Sequence, residues 1–198
     1  MKRDSMKFLI AGVGGQGTIL AASILADVGL RLGYDVKKSD ILGLAVRGGS
    51  VVSHILWDRK VRSPVLGAGE ADVLLSFEWL EGLRRLGFVN PKGVILANDH
   101  RIDPMSVSSG QSEYPDIATI RERMANAARQ VLVMPGTSTA VELGNVKAFN
   151  VVIMGGLARF LDSEVGIWRS AVSDLLPERL KAVNLKAFDA GYAMPLRA

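Results

Sequence analysis

The sequence predicts an α/β fold: a Rossmann-like, mainly parallel sheet with helices on both faces and a helical C-terminal segment. Three observations predict it. Short apolar runs alternate with longer helical patterns, a glycine-rich turn follows the first apolar run, and only helical patterns remain after about residue 148. Such alternation is typical of βαβ units and a parallel sheet. We expect residues 1–198 to form a single domain, with the C-terminal helices as an arm on the sheet.

The elements follow from the periodicity of the apolar residues. Six apolar runs, several rich in β-branched residues, are typical of strands buried on both faces. They are residues 7–11, 35–38, 51–57, 73–77, 94–98 and 131–134. Helices are predicted at residues 17–32, 78–86, 117–128, 139–143, 149–161, 168–173 and 178–189. Turn residues between Asp99 and Pro115 predict a long irregular segment.

Composition excludes several classes of protein. The net charge is +4 with scattered basic residues, so nucleic-acid binding is not expected. There is no cysteine, which excludes disulfides, thiolate metal sites, cysteine-ligated iron–sulfur clusters and a catalytic cysteine in this chain. The apolar stretch from Phe8 is interrupted by glycines, and no signal-peptide core follows the charged N-terminus. We expect a cytoplasmic protein that does not enter a membrane.

The glycine-rich turn has the strand–turn–helix setting that gives a GxGxxG pattern meaning. Gly12 allows the sharp turn, Gly14 lets a phosphate approach the backbone, and Gly17 lets helix and strand pack closely. The helix then points free N–H groups at an anion. We therefore assign cofactor binding to Gly12, Gly14, Gly15, Gln16 and Gly17. Alternatively, the turn serves only to pack the helix on the strand.

The acidic residue that binds a nicotinamide ribose, about 20 residues further on, is missing. Lys37 and Lys38 stand there instead, and Asp40 is poorly placed. Two lysines are compatible with the 2′-phosphate of NADP or the 3′-phosphate of coenzyme A. An unpatterned lysine pair is more often simply a solvated strand end.

A second glycine-containing loop, Arg47, Gly48, Gly49 and Ser50, follows the second strand. It is predicted to lie beside the first turn, at the sheet edge where α/β proteins bind ligands. Arg47 can donate two hydrogen bonds to a carboxylate or phosphate, and the glycines allow close approach. We assign these four residues to cofactor binding as well. The alternative is a structural hairpin in which Arg47 caps carbonyl groups.

Together, the loops resemble the gamma-type subunit or domain of 2-oxoacid:ferredoxin oxidoreductases. The matching motifs lie in order along nearly the whole chain. They are residues 12–17, 33–37, 47–54, 63–64, 69–78, 114–117, 142–145, 150–152 and 184–188. Within this family the chain is most similar to the small subunits of the indolepyruvate type. Leu42 and Val46 depart from the family loop, which has His and Gln there, and this leaves the substrate open.

The resemblance implies a subunit of an enzyme that oxidatively decarboxylates a 2-oxo acid, of the indolepyruvate or aryl pyruvate class. Coenzyme A would accept the acyl group and ferredoxin the electrons. Thiamine diphosphate and the iron–sulfur clusters would belong to a larger partner subunit. No catalytic residue is expected in this chain, and no metal. Two alternatives remain: a stand-alone NADP-dependent reductase, and a non-enzymatic assembly module.

Other residues have modest expected roles. His54 is predicted to be an interior strand residue, Glu78 to cap the following helix, and Asn98 to offer its amide at the rim. Residues 136–139 are either an anion-binding helix start or an ordinary N-cap. The glycines of 154–156 predict close helix packing.

Overall fold

The computed structural model describes residues 5–43 and 48–195, which form six strands and eight helices. The strands are β1 (Met6–Val13), β2 (Asp35–Leu42), β3 (Ser50–Asp58), β4 (Ala71–Ser76), β5 (Val89–Asn98) and β6 (Gln130–Met134). The helices are α1 (Thr18–Arg31), α2 (Trp79–Arg84), α3 (Met105–Ser108), α4 (Ile117–Ala127), α5 (Gly136–Glu142), α6 (Phe149–Leu161), α7 (Val165–Asp174) and α8 (Glu178–Ala193). All six predicted strands and all seven predicted helices are present. The short α3, inside the segment expected to be irregular, was not predicted.

The strands form one sheet in the order β2-β3-β1-β4-β5-β6. Strands β1, β4, β5 and β6 pair in parallel. Strand β3 is antiparallel to both β1 and β2, so β2 runs in the same direction as β1 and five of the six strands share one direction. The mainly parallel sheet is therefore confirmed. The one antiparallel strand is β3, which forms a hairpin with β2. Residues 43–49 are too few for a parallel crossover, which needs about a dozen residues or more.

Helices cover both faces of the sheet, as predicted. Phe8 and Ile10 of β1 point toward α1, α6, α7 and α8, and form one buried cluster with them. Leu9 and Ala11 point to the opposite face and pack with Trp79 of α2 and with α4. The alternation follows from the two-residue period of a strand, and both faces are buried, which explains the continuous apolar runs.

The C-terminal helices are held on the sheet by a close crossing of α6 and α8. Every residue from Phe149 to Ala158 in α6 is buried. A Cβ at Gly155 would lie well under 3.0 Å from the carbonyl oxygen of Phe188, and one at Gly191 equally close to that of Val152. Close helix packing at Gly155 is thus confirmed, and the neighbour is α8 of the same chain.

Candidate functional site

The first turn has the conformation that its glycines predict. Gly15 and Gly17 have positive φ angles of 101° and 75°, which residues with a Cβ rarely adopt. The N–H of Gln16 donates to the carbonyl of Val13 at 3.0 Å and closes the turn. Gly17 then caps α1 in a left-handed conformation. The turn therefore brings the N-terminus of α1 to the rim of the sheet.

The two glycine loops lie side by side, as predicted. The N–H of Gly14 donates to the carbonyl of Gly49 at 2.7 Å, and that of Gly48 to the carbonyl of Gly14 at 3.3 Å. The antiparallel register, which pairs Val13 with Ser50, places the loops together. Arg47, the expected anion ligand, lies outside the described residues, as does Val46.

The turn has hydrogen-bond donors without partners. Among the described residues, nothing accepts a hydrogen bond from the N–H groups of Gly15, Gly17, Thr18 or Ile19. Gly15 and Ile19 are exposed, Gly17 is half-buried and Thr18 is buried. A cluster of backbone N–H groups at the positive end of a helix favours an anion. A Cβ at Gly15 would meet no atom of the described residues within 4 Å, so the described part of the protein leaves space there.

Gln16, predicted to contact a cofactor, has its side chain turned inward. It is 8% exposed; its Oε1 accepts from the N–H of Val13 at 2.7 Å and its Nε2 donates to the carbonyl of Phe77 at 3.2 Å. These bonds tie the turn to the end of β4. Gln16 therefore positions the turn, while the exposed donors belong to its neighbours.

Asn150 in α6 is a site residue that sequence reasoning missed. Its Nδ2 donates to the carbonyls of Gln16 and Gly17 at 3.3 and 3.2 Å, and the residue is 2% exposed. Its Oδ1 and the Thr18 hydroxyl are buried without a hydrogen-bond partner in the described structure. Residues 150–152 were noted only as a family motif; the signal for a buried partner is a polar residue in the otherwise apolar stretch 149–158.

The remaining rim residues are engaged with the protein itself. Glu78 caps α2 by accepting from the N–H of Glu81 at 2.9 Å, as predicted. Asn98 does not offer its amide to a ligand: it donates to the Phe77 carbonyl and accepts the N–H of Thr137 at 3.1 Å. Asn98 thereby satisfies one N–H at the start of α5, which has no capping side chain of its own.

The geometry disfavours a dinucleotide site of the usual kind. Because β3 lies between β1 and β2, the end of β2 is about 10 Å from β1 instead of about 5 Å. Lys37 and Lys38 lie inside β2, since the strand continues to Leu42, and not at its end. Lys38 Nζ pairs with Asp40 Oδ2 at 2.6 Å. The ribose-binding arrangement of a Rossmann enzyme is therefore not formed by these residues.

His54 is an interior residue, as predicted. It is 1% exposed, and its Nδ1 accepts the N–H of Leu66 at 3.2 Å. Burial, followed by the nearby charge of Arg85, lowers the pKa of His54. The folded protein therefore favours the neutral ring, with the proton on Nε2.

A stability prediction follows from this lowered pKa. An unfolded histidine binds a proton near pH 6.5, so below that pH the unfolded state takes up more protons and stability falls as the pH decreases. The slope reaches at most about 1.4 kcal/mol per pH unit. We expect His54→Asn, which keeps an acceptor for Leu66, to flatten the urea-unfolding free energy between about pH 6.5 and pH 5. His100→Asn is the control; an equal flattening there would contradict the assignment.

None of the helices in the described part of the chain combines the length and apolar character needed to cross a bilayer. Within residues 5–43 and 48–195, no three His, Asp or Glu side chains are grouped so that they would hold a metal ion.

Comparison with known proteins identifies the class to which this fold and these paired loops belong. The model of the pyruvate ferredoxin/flavodoxin oxidoreductase family matches residues 7–194, and the chain belongs to that family. It is a subunit of a 2-oxoacid:ferredoxin oxidoreductase, and hence part of an oxidoreductase.

Two curated relatives are subunits of indolepyruvate oxidoreductases. The chain is 32% identical to indolepyruvate oxidoreductase subunit IorB of Archaeoglobus fulgidus over 94% of both chains. It is 33% identical to the IorB subunit of Pyrococcus horikoshii over 92% of both. The resemblance inferred from the ordered motifs is thereby confirmed.

Solved structures confirm the fold. A pyruvate oxidoreductase subunit from Thermotoga maritima has a TM-score of 0.72 at 17% identity, with 96% of each chain covered. A 2-oxoglutarate:ferredoxin oxidoreductase from Magnetococcus marinus has a TM-score of 0.73 at 19% identity. The match covers 97% of this chain but 31% of the Magnetococcus chain, so the same fold is there one part of a longer polypeptide.

Proposed function

We propose that this chain is the small subunit of an enzyme that oxidatively decarboxylates 2-oxo acids of the indolepyruvate class, with its glycine turn holding a phosphate group of coenzyme A. One observation carries the proposal: at the N-terminal end of α1, beside Gly48 and Gly49, four backbone N–H groups have no partner among the described residues. The names of the curated relatives support the indolepyruvate class.

The residues of the turn fit a phosphate. No described residue lies within 4 Å of a Cβ built at Gly15, and the positive end of α1 favours the negative charge. Gly14, Gly48 and Gly49 hold the two loops together through their backbones. Arg47 and Ser50 belong to the same loop and complete the proposed contact surface. The proposed role of Gly12 and Gln16 is to hold the conformation of the turn through buried contacts, without touching the ligand.

We propose that thiamine diphosphate and the iron–sulfur clusters are bound by a larger partner subunit. The absence of cysteine supports this for cysteine-ligated clusters, since the chain has no thiolate to offer. When bound, coenzyme A would accept the acyl group after loss of carbon dioxide, and the electrons would pass to ferredoxin. The proposed part of this chain is to bind coenzyme A and to orient it. We also propose that the complex is cytoplasmic.

The test is a matched pair of variants in the complex, purified anaerobically with its partner from the native host. Gly15→Ala adds a methyl group to the turn itself, while Gly33→Ala has the same kind of strain, with φ +87° and no described neighbour within 4 Å. Gly33 follows the far end of α1, about 21 Å away. We expect both to cost about 1–2 kcal/mol of stability, and only Gly15→Ala to raise the KM for coenzyme A, by at least about tenfold.

Three results would count against the proposal. Equal kinetics of the two variants would remove the turn from the coenzyme A site. A chain that purifies alone and turns over no 2-oxo acid with any partner would favour an assembly module. Tight binding of NADPH to the isolated chain would revive the reductase alternative.

A further inference from the structure

A second candidate site lies on the α2 side of the sheet, beneath the β2–β3 hairpin. It is a cavity of about 200 Å³. The lining residues are Ile41, Leu42, Gly43, Ser50, Val52, His54, Arg85 and Phe88. The glycine turn and the N-terminus of α1 do not line it, and Ser50 is the one residue that it shares with the proposed coenzyme A contact surface.

Arg85 gives the cavity a positive charge that is only indirectly balanced. Its Nη2 donates to the Ser50 hydroxyl at 3.1 Å, and its Nε is buried without a hydrogen-bond partner among the described residues. Ser50 in turn donates to Glu81, whose carboxylate is already paired with Arg84 at 2.5 Å. Glu81 therefore pairs directly with Arg84 and reaches Arg85 only through the Ser50 hydroxyl. A buried, unpaired donor of this kind favours an anionic acceptor.

His54 adds a second donor. Because its Nδ1 accepts from Leu66, its proton lies on Nε2, which makes no hydrogen bond within the described structure. The Phe88 ring meets the imidazole edge-on, with centroids 5.9 Å apart. The polar groups of the cavity are therefore mainly donors, and a carboxylate supplies the acceptors that they lack.

The other walls are apolar. Val52 and Phe88 line the interior, and Ile41 and Leu42, which are 51% and 58% exposed, stand at the mouth. A dry apolar cavity of about 150 Å³ is enough to hold a benzene ring. We infer that the cavity binds a small organic acid with an aromatic or branched apolar body, whose carboxylate is held by Arg85. The inference does not depend on the proposed role of the glycine turn.

The experiment titrates the full ¹⁵N-labelled chain with three probes and follows amide and arginine Nε–H signals. Phenylacetate has the charge and the ring, phenylacetamide only the ring, and acetate only the charge. We expect saturable shifts at His54, Arg85 and Phe88 with phenylacetate, and affinity for phenylacetamide at least about tenfold weaker. Acetate should cause no saturable shift of these signals over the same range of concentration.

Two variants assign the preference to one guanidinium. Arg85→Met keeps an apolar stem and should reduce phenylacetate to the affinity of phenylacetamide. Arg84→Met removes the neighbouring arginine, which does not line the cavity, and should leave the preference intact. Equal binding of acid and amide by the unaltered chain, or no saturable binding of phenylacetate, would overturn the inference. So would displacement of phenylacetate by coenzyme A, which would merge the two sites.

Discussion

Gly155→Ala should lower the free energy of unfolding by about 3 kcal/mol, at the upper end of the usual cost of overpacking. The new methyl group would lie well under 3.0 Å from the Phe188 carbonyl oxygen and also within 3.0 Å of the Tyr192 nitrogen. Both are main-chain atoms of α8, so no side chain can turn away, and the helices must separate. Alanine favours a helix over glycine by about 1 kcal/mol, so helix propensity alone would stabilise the variant. A net loss of stability would therefore come from the packing of the two helices.

The chain offers a matched control in Gly166, in the exposed first turn of α7. A Cβ there would have its nearest neighbour, a Glu164 oxygen, at 3.9 Å. Gly166→Ala should stabilise the protein by about 0.5–1 kcal/mol, while Gly155→Ala lowers the melting temperature by about 6–12 °C. Adding Gly191→Ala to Gly155→Ala should cost less than Gly191→Ala alone, because the helices are already apart. Additive losses would place the two glycines in separate contacts.

Local patterns were sufficient to predict most of the fold. The continuous apolar runs identified the central strands because both faces of the sheet are covered, and α6 was predicted with its observed bounds. The adjacency of the two glycine loops was also predictable, since strand ends that share a sheet edge meet there. The hairpin of β2 and β3 was considered only as the alternative for the Arg47 loop, although its connection, residues 43–49, is too short for a crossover.

The interior contacts of the site could not be predicted in the same way. Asn150 is separated from Gly17 by 133 residues in the chain, and no local pattern indicates which turn a buried amide will bind. Gln16 was assigned to a ligand as part of the glycine-rich turn, but its side chain accepts the N–H of Val13 and donates to the carbonyl of Phe77. A single sequence thus indicates where a rim forms, while tertiary packing decides which side chains face outward.

Gly17→Ala is expected to cost about 2–4 kcal/mol of stability, for two separable reasons. The positive φ of 75° opposes any residue with a Cβ, and the new methyl group would overlap Nδ2 of Asn150. Asn150 would have to release the carbonyls of Gln16 and Gly17, which would leave buried polar atoms without partners. Urea unfolding of the variant, compared with the unaltered chain, measures the sum of both terms.

Two further variants separate the terms. Gly33→Ala has the unfavourable φ without a neighbour within 4 Å, so it measures the backbone cost alone. Asn150→Ala combined with Gly17→Ala removes the overlapping amide, and the coupling energy of the cycle should recover about 1–2 kcal/mol. If Gly17→Ala costs no more than Gly33→Ala, Asn150 does not brace the turn. If the coupling is as expected, a side chain of α6 fixes the position of the N–H groups at the start of α1, so the C-terminal helices belong to the machinery of the site as well as to the core.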